Sequence, residues 1–272
     1  MAGSKDFKKG VSMKLPILLY HDIRKNNFDV SSLKPGMRPY VLTESTFAAQ
    51  MKWLSVNGYR TAELEDLRKS KYKSVILAFD DGWESNFDIA FPLLKHYGFQ
   101  AIFFVTVNDI GRNEMMNWSH LRVLLDNGMK IGSHSLNHVV LTRLSKERLK
   151  KELEDSKYLL EKNLDTSIDY FSLPTGFYDR RVKRLAGKAG YKGICYSEVG
   201  YGAVRNNTDM AIFKKIGIKR SYSLETFKSI VEGEGRIISR LRRRQRIRNV
   251  AKKVMGAENY LRIREALLKN AL

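Results

Sequence analysis

The sequence predicts an α/β protein: a (β/α)7-8 barrel of the TIM type, followed by a basic helical C-terminal appendage. Three observations predict it. Apolar runs of strand length recur along the chain. Amphipathic stretches of helical period lie between several of them. Polar residues that can do chemistry follow several of the runs directly. The first run is Leu15–Tyr20. Thr43–Asn57 then reads as a helix, entered through Thr43-Glu44-Ser45-Thr46 and carrying Phe47, Met51 and Leu54 on one face. Val75–Phe79, Ile102–Thr106 and Lys130–Gly132 are the next strands. Ser145–Leu164 is a long helix, charged on one side, with Leu149, Leu153, Leu159 and Leu160 on the other. Tyr170–Leu173, Gly193–Tyr196 and Ile212–Ile218 complete the strand set. Continuously apolar strands alternating with amphipathic helices give a parallel sheet covered by helices, either a barrel or an open doubly wound sheet. The strand ends favour the barrel: His21, the pair Asp80 and Asp81, His134 and Pro174 each follow a run. A barrel brings such ends together on one rim.

Composition bounds the rest. The chain has 272 residues, 43% hydrophobic and 29% charged, enough to bury a substantial core. One cysteine, Cys195, excludes an intramolecular disulfide framework and a Cys-rich zinc site; it reads as a buried strand residue. Leu15–Tyr20 is too short for a signal-peptide core or a membrane span. We therefore expect a soluble or peripherally attached, cytoplasmic chain, although an exported protein whose signal had been removed would read the same. The net charge of +20 is uneven. Residues 235–272 hold twelve Lys and Arg against two acids, half of the total. Glu232-Gly233-Glu234-Gly235 marks the boundary, which divides the chain into a barrel, 1–234, and a basic amphipathic helical tail, 235–272.

Two short motifs carry the chemistry. In Ser133-His134-Ser135-Leu136-Asn137-His138, two imidazoles four residues apart can face one side and share a divalent metal. A metalloprotease would place Glu after the first His, where Ser135 stands, so that class is excluded. Asp80-Asp81-Gly82 supplies what is missing: one carboxylate as ligand and one as base, at a turn that glycine permits. Either motif alone has a plain structural reading, the aspartates as caps of a helix starting near Trp83. Both together, each after a buried strand, favour a metal site.

Ala78-Phe79-Asp80-Asp81-Gly82, His134-Ser135-Leu136-Asn137-His138 and Leu173-Pro174-Thr175-Gly176 resemble the first three motifs of the polysaccharide deacetylase family, the NodB-homology carbohydrate esterases. The resemblance runs from Pro16 to about Gly217. It implies a NodB-type barrel and a divalent-metal hydrolase that removes acetyl groups from N-acetylated sugars. By motif position it implies Asp81, His134 and His138 as metal ligands and Asp80 as general base, with the oxyanion on the metal and the Thr175 backbone N–H after Pro174. The family's acid is a His in a Leu-x-x-His motif near the C-terminus, and no His follows His138. Leu18-Leu19-Tyr20-His21 fits that motif at the other end, as in the circularly permuted subgroup similar to the poly-N-acetylglucosamine deacetylases, so His21 is the expected acid. Two departures stand out: Ala78 where the first motif begins with Thr, and Ser172 where an Arg would orient the base. The expected metal is Zn²⁺, with Co²⁺, Ni²⁺ or Mn²⁺ as alternatives that a His₂Asp set accepts. A non-catalytic glycan- or membrane-binding module on the same fold is the alternative reading.

Trp83, Tyr20 and Tyr178 are aromatic candidates to contact the sugar, with packing the competing role. His96 reads as a helix-end residue and His120 as a first-turn residue. In the tail, Ile237, Ile238, Leu241, Ile247, Val250, Ala251 and Val254 recur at helical spacing. Gly256 interrupts, and Tyr260, Leu261, Ile263, Leu267, Leu268 and Leu272 continue. Such a stripe among arginines suits an anionic membrane surface, and packing on the barrel suits it equally. Nucleic acid ranks third because Tyr260 is the tail's one aromatic. The combined expectation is an enzyme at the inner membrane face acting on an N-acetylated polysaccharide or lipid-linked glycan. Its oligomeric state is left open.

Overall fold

The computed structural model describes residues 15–66, 73–177, 179–201, 203–204, 210–233 and 235–269. Seven parallel strands form the barrel: β1 (Ile17–Tyr20), β2 (Ser74–Phe79), β3 (Ile102–Val105), β4 (Lys130–Ser133), β5 (Tyr170–Ser172), β6 (Gly193–Ser197) and β7 (Ala211–Gly217). They pair in the order β1-β7-β6-β5-β4-β3-β2, and β1 also pairs with β2, Ile17 opposite Ile76, so the sheet closes on itself. The seven strands are the seven apolar runs of the sequence, and the barrel displaces the open-sheet alternative.

Helices cover the outside. They are α1 (Glu44–Val56), α2 (Phe91–His96), α3 (Trp118–Asp126), α4 (Lys146–Leu164), α5 (Arg180–Lys188) and α6 (Leu224–Glu232). Side-chain caps start five of them: Thr43, Asn117, Ser145, Asp179 and Ser223 each accept a backbone N–H of the first turn. His120 closes a capping box on Asn117, and His96 ends α2, as the sequence led us to expect.

Strand alternation sorts the side chains into two cores. One face of each strand meets the helices around Phe47, Leu77, Phe103, Leu153 and Phe171. The other fills the barrel with Ile17, Ile76, Ala78, Ile102, Phe104, Tyr170, Cys195 and Phe213. Gly132 faces this interior, where a Cβ would lie 2.4 Å from the Phe104 ring. The same period of two then places Asp80, Ser172 and Lys215 one step above Ala78, Tyr170 and Phe213. The top layer of the barrel is therefore polar although it is sealed: Asp80 is 4% exposed, Ser172 0% and Lys215 1%.

The tail is helical from Gly235 to Lys269 on either side of Gly256, whose φ of 72° and ψ of 171° break the helix in two. Its first turns belong to the body, because Ile238 and Leu241 join the main core. Farther along, Ile247, Val250 and Val254 are exposed, as are Ile263 and Leu267 after the break. Among the described residues no helix is long and apolar enough to cross a membrane.

Candidate metal centre and its surroundings

Asp81, His134 and His138 come together at the top of the barrel. One donor atom from each lies within 4.8 Å of the others. Asp81 Oδ1 is 3.3 Å from His134 Nε2 and 3.4 Å from His138 Nε2. His134 Nδ1 lies 2.9 Å from the carbonyl oxygen of Ser172; that bond makes Nδ1 the protonated nitrogen and leaves the lone pair of Nε2 for the cluster. The donor set, two imidazole nitrogens and one carboxylate with an outer partner fixing a tautomer, fits a divalent metal of the zinc type.

The backbone is bent to achieve this. Asp81, Ser135, His138 and Thr175 all have φ between 52° and 78°, and these are four of the six described non-glycine residues in that region. Positive φ costs such residues roughly 1–3 kcal/mol each, so the surrounding structure must impose it. Gly82, at φ 92°, completes the turn after Asp81; a Cβ there would sit 3.2 Å from Val105. Glu152 of α4 holds the histidine loop. Its carboxylate accepts the Leu136 and Asn137 backbone N–H groups, each at 3.0 Å, and the Asn137 side chain at 2.6 Å. The Trp83 indole N–H donates to Asp81 Oδ2 at 3.2 Å, so this side chain helps to position the Asp81 carboxylate.

Asp80 stands beside the cluster with both oxygens engaged. Oδ1 receives Lys215 Nζ at 2.5 Å and Oδ2 the Ser172 hydroxyl at 3.1 Å, while Lys215 also donates to Ser172 Oγ at 2.6 Å. Burial pushes the Asp80 carboxyl upward, but the charge of Lys215, then those of His134 and His21, hold it below the usual range. Burial also raises Asp81, and the hydrogen bonds to His134 and His138 outweigh it, leaving that group well below the usual range. His21 arrives from the end of β1. Its pKa is lowered, chiefly by burial; the first charges acting on it are Asp81 and Asp80, which oppose the shift. Its ring lies 4.8 Å from that of Tyr40, and Nδ1 has no partner among the described residues.

The remaining expected residues fall differently. Pro174 and Thr175 form a short turn after β5, with the Thr175 hydroxyl closed onto the Pro174 carbonyl at 2.6 Å. Tyr20 is a correction: it is fully buried, its ring packs against Phe47 and Phe79, and its hydroxyl donates to Gln50. As the last residue of β1 it points opposite to His21, away from the cleft, because successive strand side chains alternate. Tyr178 lies outside the described residues. The sequence reading missed Lys215 and Glu152. Strand parity could have found Lys215, because it stands two residues beyond the inward Phe213 whereas Lys214 turns outward to Glu198. A cleft of about 570 Å³ opens nearby, lined by Arg24, Phe28, Glu84, Ser85 and Glu114 among others.

The polysaccharide deacetylase family matches residues 68–194. YxkH of Bacillus subtilis (strain 168), provisionally named a polysaccharide deacetylase, is 29% identical over 226 residues, 80% of this chain and 76% of the relative. The poly-β-1,6-N-acetyl-D-glucosamine N-deacetylase of Staphylococcus aureus (strain N315) is 28% identical over 227 residues, 76% of this chain and 71% of the relative. The solved structure of the Streptococcus pyogenes deacetylase PplD in complex with acetate has the same fold, with a TM-score of 0.72 at 24% identity, covering 80% of this chain and 98% of that one.

Proposed function

We propose that this chain, whose residues 68–194 match the polysaccharide deacetylase family, is a metal-dependent de-N-acetylase acting on an N-acetylated glycan, polymeric or lipid-linked. The observation that carries the reading is the convergence of Asp81, His134 and His138 beside a buried, ion-paired Asp80, with His21 coupled to both aspartates.

In this reading Asp81, His134 and His138 hold one divalent metal, taken to be Zn²⁺. When bound, such an ion polarises a carbonyl and acidifies a water. Asp80 is the general base. Lys215 and Ser172 fix its carboxylate and keep it ionised, so that it can take the proton of the attacking water. The Thr175 N–H, at the turn after Pro174, is the proposed backbone donor to the oxyanion. His21 gives the proton that the departing amine requires. The cleft beside Trp83 is the proposed path of the neighbouring sugars, with Arg24 and Glu114 among its polar walls.

The tail sets the proposed location, the inner face of a bacterial membrane. Ile247, Val250 and Val254 are 62%, 63% and 79% exposed on a helix whose remaining surface is largely arginine, the pattern of an interfacial helix on anionic lipid. The enzymatic reading is tested by acetate release from N-acetylglucosamine oligosaccharides. The Zn²⁺-reconstituted protein should release acetate, and the chelated protein and Asp80→Asn should not. A protein that binds metal and glycan but never releases acetate is a binding module instead.

A further inference from the structure

Five cations from three parts of the chain gather at the mouth of the site. Lys219 follows β7. Arg244, Arg248 and Lys252, spaced four apart, share one face of the first tail helix, and Arg264 comes from the second. Lys252 Nζ lies 3.4 Å from the Thr175 carbonyl oxygen and 4.3 Å from the Phe177 ring centre. Arg264 donates to the Gly36 carbonyl at 3.2 Å and to the Tyr40 hydroxyl at 3.4 Å; Lys219 Nζ is 5.9 Å from the same Tyr40 ring, which packs against His21. The cluster thus reaches from the turn proposed to carry the oxyanion donor to the residue whose ring packs at a tilt against the proposed acid.

Among the described residues no anion balances it. The charges acting on Lys219 are those of Arg248, Arg264 and Arg244, and on Lys252 those of Arg248 and Arg264. Burial first, then these cations, push both amines down to about 8. Like charges four residues apart weaken a helix, and among the described residues no carboxylate pairs with any of the five. Arginines serving only solubility would spread over the outer surface. These are gathered, and Lys219, Arg248, Lys252 and Arg264 are partly covered beside the exposed Arg244, so that their mutual repulsion is left for a ligand to relieve. A phosphate or pyrophosphate suits them better than a carboxylate, because it carries more charge and offers more acceptor oxygens to forked guanidinium donors.

We propose that Lys219, Arg244, Arg248, Lys252 and Arg264 bind a phosphate or pyrophosphate group carried by the glycan, so that the sugar presented to Asp80 and His21 is a phosphorylated one. The substrate half of this statement rests on the deacetylase reading; the anion site does not.

The test is calorimetric titration of the full-length protein with inorganic pyrophosphate. Wild type should bind. Arg248→Gln/Lys252→Gln should weaken binding about tenfold for each charge removed, and Arg248→Lys/Lys252→Arg should retain it. His134→Ala should bind as wild type does, because the anion is not held by the metal site. Loss of binding in His134→Ala with retention in the double glutamine variant would overturn the proposal, as would absent or unchanged binding in both wild type and that variant. Flotation on phosphatidylglycerol vesicles separates the two sources of phosphate. Unchanged flotation of the glutamine variant assigns the cluster to the glycan, whereas flotation lost together with pyrophosphate binding assigns it to lipid headgroups and overturns the substrate assignment. Pyrophosphate binding requires no turnover, so its failure and a failure of acetate release are separate results.

Discussion

Lys215 Nζ lies 2.5 Å from Asp80 Oδ1 inside the barrel, with the Ser172 hydroxyl bridging the two side chains. Both charged groups are sealed from solvent, and the ammonium also sits 4.6 Å from the Phe104 ring centre. The position from which the family resemblance leads one to expect an arginine is Ser172. The cation comes instead from β7, two strands away across the barrel wall.

A buried pair of this kind is costly to break from one side. Lys215→Met should destabilise the protein by about 3–5 kcal/mol, because it leaves an unpaired buried carboxylate. Lys215→Met/Asp80→Asn should recover most of that loss, since no net charge then remains inside. Urea unfolding of the wild type, both single variants and the double variant measures the coupling directly.

Glu152→Gln tests the support of the histidine loop. The amide keeps the volume but loses the charge-assisted bonds to the Leu136 and Asn137 N–H groups. Zn²⁺ affinity should fall about 10- to 100-fold, the usual effect of removing an outer partner of a ligand, with a stability loss of about 1–3 kcal/mol. Zinc titration paired with thermal melting separates the two.

Lys252 gives a pH signature. Its pKa in the folded protein is about 8, lowered by burial and by Arg248 and Arg264, whereas an unfolded lysine titrates near 10.4. Between those values the unfolded chain binds more protons, so the lysine's contribution to stability improves as pH rises through that window; below about 8 the full penalty is present. The melting temperature of wild type relative to Lys252→Gln should therefore increase from pH 8 to pH 10 and be flat from pH 6 to 7.

For the tail, Ile247→Ser/Val250→Ser/Val254→Ser should lower partitioning onto phosphatidylglycerol vesicles by on the order of a hundredfold, from the lost apolar burial alone. Equal, negligible flotation of wild type and variant would remove the membrane reading.

Much of this was legible in the sequence, for physical reasons. Parallel strands buried on both faces read as continuous apolar runs, so all seven staves stand out, and the proposed ligand triad follows two of them. What was not legible depends on direction. Tyr20 and His21 are adjacent, and only the strand's pleat sends one into the core and the other into the site. Lys214 and Lys215 differ in the same way. The tail stripe looked uniform, yet Ile238 and Leu241 pack in the core while Val250 and Val254 face out, because beyond its second turn the tail meets the body through Lys252 and Arg264 and not through these apolar side chains. No local pattern encodes which face of a helix meets the body.

The most direct measurement is metal content by elemental analysis of wild type, Asp80→Asn and His134→Ala, each reconstituted with Zn²⁺ and desalted. About one equivalent in wild type and in Asp80→Asn, absent from His134→Ala, is the predicted result. No metal in wild type, or an equal amount in His134→Ala, would contradict the assignment of Asp81, His134 and His138 as the metal centre.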